Sequence, residues 1–214
     1  MLPLLAVSST AMAMASKVCV IVGLGNKGIG DACAMKWAKE GFKVAMLARR
    51  QETLDELEKS IPGSKAYRCD ATQPTEVEST LQAITSDLGP IDVCIYNAGL
   101  GVFKRFEDTT FEEFETSVRR PAGSTPGLAD ERPPFCSHSL GHTASGQWRC
   151  GPAGLFCVAK AVVPEMAARG GGVFGITGAT ASWRGVPMTP AFAAAKMGVR
   201  GLAQARLQPS LTSA

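Results

Sequence analysis

The segment KVCVIVGLGNKGIG, residues 17–30, decides the fold of this chain. Residues 17–23 form a β-branched apolar run that ends at glycine, which predicts a buried strand. From Gly28 to Gly41 the apolar residues recur at helical spacing, so a helix should follow the strand at once. A glycine-rich turn in this position begins a βαβ unit and is typical of a site for a dinucleotide's phosphates.

The turn combines two properties that a phosphate site needs. Glycines allow a sharp turn and a close backbone approach to a pyrophosphate, and the amides and dipole of the next helix stabilise negative charge. The alternative is a tight strand-to-helix turn that holds no ligand. The candidate cofactor-binding residues of this segment are Gly23, Gly25, Lys27, Gly28, Ile29 and Gly30.

Outward from this segment, strands alternate with helices. Further strands are predicted at 42–48, 66–69, 91–96 and 172–178, and further helices at 51–59, 75–88, about 110–118, 155–166 and 191–205. This pattern indicates an α/β fold, a doubly wound, Rossmann-like parallel sheet in one domain over residues 17–206. We expect five strands in the order 3-2-1-4-5, with the fifth strand as an exposed edge.

Composition narrows the class of protein. The 214 residues are 45% hydrophobic and 19% charged, which excludes a wholly disordered chain. A net charge of +3 is too small and dispersed to argue for nucleic acid. No stretch reaches the roughly 18 consecutive apolar residues of a membrane span, so no membrane partner is expected.

Cysteine usage bears on the compartment. Cys19, Cys33, Cys69 and Cys94 sit inside apolar runs, which predicts buried, reduced thiols and a cytoplasmic location. Residues 1–16 read as a disordered leader with no Lys or Arg ahead of its apolar core. A secretory or organelle leader, and a start at Met14, stay open.

Residues 119–153 interrupt the pattern. They hold five Pro and five Gly with no apolar periodicity, and removing them joins FETSV to GLFCVAKAVVPEM as one helix. We predict an insert, either intervening sequence read through into protein or a lineage-specific loop, and a polar tail at 207–214. A zinc site is the least favoured alternative, and no metal is predicted; its ligands would be Cys136, His138, His142 and Cys150.

The end of the second predicted strand indicates which cofactor is bound. A unit that binds NAD places an acid about 20 residues past the glycines, on the ribose hydroxyls. Here Arg49 and Arg50 stand in that place. Two guanidinium groups match a 2′-phosphate through charge-assisted bonds, so we predict NADP(H), with Lys27 assisting. The alternative is a solvated basic turn.

The chain resembles the short-chain dehydrogenase/reductase family over residues 17–118 and 154–206. The resemblance is carried by the glycine turn, Asp70, the triplet Asn97-Ala98-Gly99 and Lys196. It implies that Asp70 bonds the adenine amino group, that the triplet shapes the adenosine pocket and steadies the central strand, and that Lys196 holds the nicotinamide ribose. The turn is one residue longer than is usual in that family.

The catalytic residues depart from the family. Its proton-donating Tyr, four residues before the Lys, is Phe192 here, and its substrate-orienting Ser is Ala179. The nearest hydroxyls are Thr180 and Ser182, so the catalytic candidates are Lys196, Thr180 and Ser182.

Two hypotheses follow from the resemblance. The first is an NADP(H)-dependent oxidoreductase of the short-chain type that acts on a small carbonyl or alcohol with impaired proton delivery. The second is a dinucleotide-binding pseudoenzyme or truncated variant without turnover. The family also leads us to expect two further strands and a substrate-closing segment beyond this sequence, so the substrate is unknown. A homo-oligomer is left open.

Overall fold

A computed structural model describes residues 17–25, 27–99, 101–118 and 151–207. Its centre is one parallel sheet in the order β3-β2-β1-β4-β5, which confirms the predicted fold class and strand order. The predicted leader, the tail from 208 and residues 119–150 of the predicted insert lie outside the described residues. The strands are β1 Val18–Val22, β2 Lys43–Ala48, β3 Ser64–Arg68, β4 Ile91–Tyr96 and β5 Val173–Ile176.

Six helices connect and follow these strands in the described part of the chain. A short 3-10 turn, Thr180–Ser182, precedes the last helix. The helices are α1 Ile29–Lys39, α2 Gln51–Ser60, α3 Pro74–Leu88, α4 Phe111–Val118, α5 Pro152–Ala168 and α6 Pro190–Leu207.

Strand β1 is the centre of the core, and all five of its residues are buried. Successive side chains of a strand point to opposite faces. Accordingly Val18, Val20 and Val22 pack in the cluster with residues of α3, α5 and α6. Cys19 and Ile21 pack in the other cluster, with residues of α1 and α2. Burial on both faces explains why the strand is an uninterrupted apolar run.

Several boundaries differ from the sequence prediction. Strand β3 runs from Ser64 to Arg68, whereas the predicted range was 66–69. The prediction missed these bounds because the mixed residues of this strand are half-buried or exposed and give no apolar signal. Helix α5 begins at Pro152, inside the predicted insert, since proline is compatible with the first turn of a helix. Strand β5 is the short edge that we expected, and its Val173 is 56% exposed.

The cysteine prediction holds for three of four residues. Cys19, Cys69 and Cys94 are buried free thiols, whereas Cys33 on α1 is only half-buried and packs against the edge of a core cluster. Burial raises the pKa of the Cys69 thiol to about 11, which keeps it protonated. No helix within the described residues is long and apolar enough to cross a membrane.

The two ends of the predicted insert meet in space. A Cβ atom built on Gly151 would lie 2.3 Å from the carbonyl oxygen of Ser117 and 3.4 Å from that of Val118. The hydroxyl of Tyr96 donates a hydrogen bond to the Gly151 carbonyl at 3.1 Å. The end of α4 and the start of α5 therefore lie in direct contact, and a single helix interrupted by the insert stays a prediction.

We expect a variant that joins Val118 directly to Gly151 to fold and to unfold at a temperature no lower than the full chain. The two ends that the deletion joins already meet, and closing a flexible connection of about 30 residues between such ends costs on the order of 3 kcal/mol of entropy. Thermal unfolding by circular dichroism measures the change. A variant that carries an eight-residue Gly-Ser linker in place of 119–150 is the control and should be less stable than the direct join. An unfolded direct join beside a folded linker variant would contradict the interrupted helix.

Candidate functional site

The candidate residues gather at one edge of the sheet, at the carboxyl ends of the strands. The order reverses between β1 and β4, and ligands of open α/β sheets bind at such a switch point. Gly23 follows β1 and Asn97 follows β4 at this point, while Arg49 and Asp70 follow β2 and β3.

The glycine turn packs too closely for side chains at two positions. A Cβ atom built on Gly23, whose φ is +98°, would lie 2.5 Å from the backbone nitrogen of Ala98. One built on Gly30 would lie 2.2 Å from the carbonyl oxygen of Gly23 and 3.0 Å from Nδ2 of Asn97. Because these two glycines lack side chains, α1 packs directly against the ends of β1 and β4. The surface formed by the backbone of Gly23 and Gly30 is called the backbone cradle below.

Asn97 ties the end of β4 to the same turn. Its Nδ2 donates to the Gly23 carbonyl at 2.8 Å, and its backbone N–H donates to the Val22 carbonyl at 2.8 Å. The neighbouring Ala98 is buried. These bonds give Asn97 a physical means of steadying the central strands.

Asp31 is a site residue that the sequence analysis missed. Its carboxylate is 3% exposed and accepts the backbone N–H groups of Gly25 and Lys27, both at 2.7 Å. Lys27 has φ +57°, a left-handed conformation that is uncommon outside glycine, and the bond from its N–H to Asp31 holds the turn in that shape. An acid at the third position of a helix is a known capping signal that could have identified it.

The Asp31 contacts limit which amides of the turn are open to a ligand. The N–H groups of Gly25 and Lys27 already donate to the Asp31 carboxylate, so they fix the shape of the turn and are not free to contact a phosphate. The amides of Ile29 and Gly30, in the first turn of α1, have no intrahelical acceptor and face the same end of the helix. A phosphate would therefore meet the start of α1 instead of the whole turn.

The ends of β2 and β3 border a cavity of about 400 Å³. Asp70 lies on it, and its Oδ1 accepts bonds from the N–H and the hydroxyl of Thr72 at 3.0 and 2.7 Å. The backbone N–H of Asp70 donates to Oε2 of Glu76 at 2.6 Å. The lining residues are Arg49, Arg68, Asp70, Gln73 and Glu76.

The expected pair Arg49 and Arg50 is not brought together on this cavity. Arg49 lines it, whereas Arg50 is the N-cap of α2 and its carbonyl accepts the N–H of Leu54 at 3.3 Å. The joint role of Arg49 and Arg50 toward a phosphate stays a prediction. The arginine that shares the cavity with Arg49 is Arg68, the last residue of β3.

Lys196 reaches the same edge of the sheet from α6. It is 9% exposed, and its Nζ donates to the Thr177 carbonyl, just past β5, at 2.8 Å. A Cβ atom built on Gly99 would lie 3.5 Å from that Nζ. Burial lowers the pKa of the Lys196 ammonium, because desolvation disfavours the charged form.

Phe192 lies one helical turn before Lys196, with its ring 5.9 Å from Nζ. It also forms an aromatic pair with Phe103, whose ring centroid is 5.3 Å away at 41°. The ring has no exchangeable proton, so this position forms an apolar wall beside the buried cation.

The two candidate hydroxyls differ in environment. Both belong to the 3-10 turn that packs against α6. Ser182 is buried, and its Oγ accepts the N–H of Ala179 at 3.1 Å, which leaves its own proton able to donate. Thr180 is exposed.

No metal site is found among the described residues: no group of three His, Cys, Asp or Glu side chains there could hold an ion. The four residues of the zinc alternative, at 136, 138, 142 and 150, lie outside them.

Comparison with known proteins identifies the class. The profile of the short chain dehydrogenase family matches residues 17–124, and the chain belongs to that family. A short-chain dehydrogenase/reductase from Armillaria gallica is 30% identical over 198 residues, which cover 88% of this chain and 63% of that protein. A glycine betaine reductase from Emericella nidulans is 34% identical over 137 residues, which cover 62% of this chain and 11% of that protein. The chain thus spans under two thirds of the length of these two relatives.

Solved structures support the fold. An actinorhodin polyketide ketoreductase with NADPH superimposes with a TM-score of 0.71 at 24% identity, over 89% of this chain and 64% of that one. An alcohol dehydrogenase from the archaeon Thermococcus sibiricus, complexed with 5-hydroxy-NADP, gives a TM-score of 0.68 at 23% identity, over 89% and 70%.

Proposed function

We propose that this chain is an NADP(H)-dependent oxidoreductase of the short-chain type, which acts on a small carbonyl or alcohol with weakened proton delivery. The observation that carries the proposal is the position of Lys196. Its buried Nζ lies against Gly99, at the same sheet edge as the bare backbone cradle of Gly23 and Gly30.

The residues present fit a dinucleotide. The cradle leaves no room for side chains, the first turn of α1 offers amides, and Arg49 stands by a cavity at the end of β2. Two structurally similar proteins are described with NADPH or an NADP derivative. A bound reduced nicotinamide supplies a hydride to a carbonyl carbon.

This chain's own residues supply orientation and a proton. Lys196 uses one ammonium hydrogen on the Thr177 carbonyl and has two more for ribose hydroxyls or a water molecule. Phe192 cannot donate, so the proton for the forming alkoxide comes from the Ser182 hydroxyl or from water held by Lys196. The loss of a positioned acid lowers such rates by about 10²- to 10⁴-fold.

The second candidate is a non-catalytic dinucleotide-binding protein. Phe192 favours it, because the ring occupies the position next to Lys196 where the family places its proton donor. Both candidates require cofactor binding, and only the first requires turnover.

Titration with NADPH, followed by nicotinamide fluorescence, tests the shared requirement. We then expect slow oxidation of NADPH across a panel of small aldehydes and ketones, which Lys196→Ala abolishes. Lys160→Ala, at an exposed position of α5, is the matched control and should keep the full rate. Binding without turnover across the panel would leave the non-catalytic candidate, and failure to bind NADPH or NADH would overturn both.

A further inference from the structure

We propose that Arg68 is a specificity-determining residue that, together with Arg49, binds the 2′-phosphate of NADP(H). The inference rests on the proposed function, and it assigns a role to a residue at the end of β3 that neither a sequence motif nor proximity along the chain indicates.

Pairing between β2 and β3 brings the two arginines together. Ala48 and Arg68 are register partners, so the ends of the two strands lie side by side. The Cys69 N–H donates to the Ala48 carbonyl at 2.9 Å, which fixes the backbone just past both strands. Arg49 and Arg68, 19 positions apart in the sequence, therefore border one cavity of about 400 Å³.

Two acids, Asp70 and Glu76, also line the cavity, and each accepts hydrogen bonds from neutral donors rather than from Arg68. Asp70 accepts two bonds from Thr72, and Glu76 accepts the backbone N–H of Asp70. Arg68 is exposed, and among the described residues it forms neither an ion pair nor a side-chain hydrogen bond. Its guanidinium is thus available to a ligand in the cavity.

The two arginines of the cavity suit a nucleoside 2′-phosphate. A phosphate monoester carries about −1.5 to −2 charges at neutral pH, more than one guanidinium neutralises. Guanidinium groups bind phosphate through two parallel, charge-assisted bonds. A ribose without the phosphate has only hydroxyls to offer, so it gains much less from two arginines than the phosphorylated form.

The structure provides a matched control near the site. Lys59 carries the same charge as Arg68, but it is exposed near the end of α2 and does not line the cavity. A long-range effect of charge would weaken NADPH binding when either Lys59 or Arg68 is changed. A direct contact would make the two variants differ.

The experiment measures dissociation constants of NADPH and NADH by fluorescence for the full chain and for Arg68→Gln, Arg49→Gln and Lys59→Gln. We expect Arg68→Gln to weaken NADPH binding by about 10- to 100-fold, the scale of a lost charged hydrogen bond, and to leave NADH within about twofold. Lys59→Gln should leave both constants unchanged. Arg68→Lys should recover part of the loss. Thermal unfolding of each variant without ligand verifies that the fold is retained.

Four outcomes would overturn the assignment. Equal losses for NADPH and NADH in Arg68→Gln would indicate a general effect on the site, and an unchanged NADPH constant would show that Arg68 makes no contact. A wild-type chain that binds NADH as tightly as NADPH would also reject it, while leaving dinucleotide binding intact. Failure of the wild-type chain to bind either dinucleotide would overturn the proposed function as well.

Discussion

Replacement of Phe192 by tyrosine is expected to raise the rate of carbonyl reduction by about 10²- to 10⁴-fold, the usual contribution of a positioned general acid. Phe192 and Lys196 are separated by one turn of α6, so they lie on the same helix face. The substitution adds one hydroxyl group to a half-buried ring whose place beside Phe103 is already set.

The environment favours the added phenol as a donor. The buried Lys196 ammonium lies 5.9 Å from the ring, and a nearby positive charge favours the phenolate. The pKa of the new tyrosine should therefore lie below that of a free phenol, closer to the working pH.

Steady-state oxidation of NADPH with the most reactive carbonyl of the panel measures the effect. Phe156→Tyr adds the same hydroxyl to an exposed ring on α5 and should leave the rate unchanged. The gain should disappear in the double variant Phe192→Tyr, Lys196→Met. A Phe192→Tyr chain that binds NADPH normally and reacts no faster would reject this account of the slow rate.

The parts of the fold that the sequence predicted well are those buried on both faces. In β1 and β4 the core requires apolar side chains toward helices on either side, and both segments were predicted within a residue of their observed ends. The bounds of β3 were not predicted, because an edge strand with the sequence SKAYR has no apolar periodicity to detect. A strand that is buried on both faces requires apolar side chains, and these can be detected in the sequence. A strand at the edge of a sheet is held by backbone hydrogen bonds, which place little constraint on its side chains.

The residues of the candidate site also fall into two groups, those that the sequence reveals and those that only the folded structure reveals. The glycine turn could be named in advance from its place between a strand and a helix, and Asn97 and Lys196 from the resemblance to the short-chain family. Arg68 could not, since its place on the cavity comes from strand pairing that only the folded backbone creates. Asp31 was missed, although an acid at the third position of a helix is a capping signal. Asp31 folds back onto two loop amides, and Arg68 reaches the cavity through the register of β2 and β3.

Gly30→Ala is expected both to destabilise the chain and to abolish dinucleotide binding. The new Cβ atom would lie 2.2 Å from the Gly23 carbonyl oxygen, which is backbone and already accepts a bond from Asn97. Relief of this clash requires α1 to move away from the ends of β1 and β4, and that movement opens the cradle. Overpacking of this kind costs about 1–3 kcal/mol, and for a chain of this length each kcal/mol lowers the unfolding temperature by roughly 2–4 °C.

Gly201→Ala provides the contrast for this measurement. Gly201 is also helical, in α6, but a Cβ atom built there meets nothing within 4 Å. Alanine is favoured over glycine in a helix by roughly 1 kcal/mol, so the same substitution should here raise the unfolding temperature and leave NADPH binding unchanged. The unfolding temperature should therefore fall in Gly30→Ala and rise in Gly201→Ala. Only Gly30→Ala should lose the fluorescence response to NADPH. An unfolding temperature of Gly30→Ala equal to that of the wild-type chain, together with normal NADPH binding, would show that the close packing of α1 against the turn does not form the site.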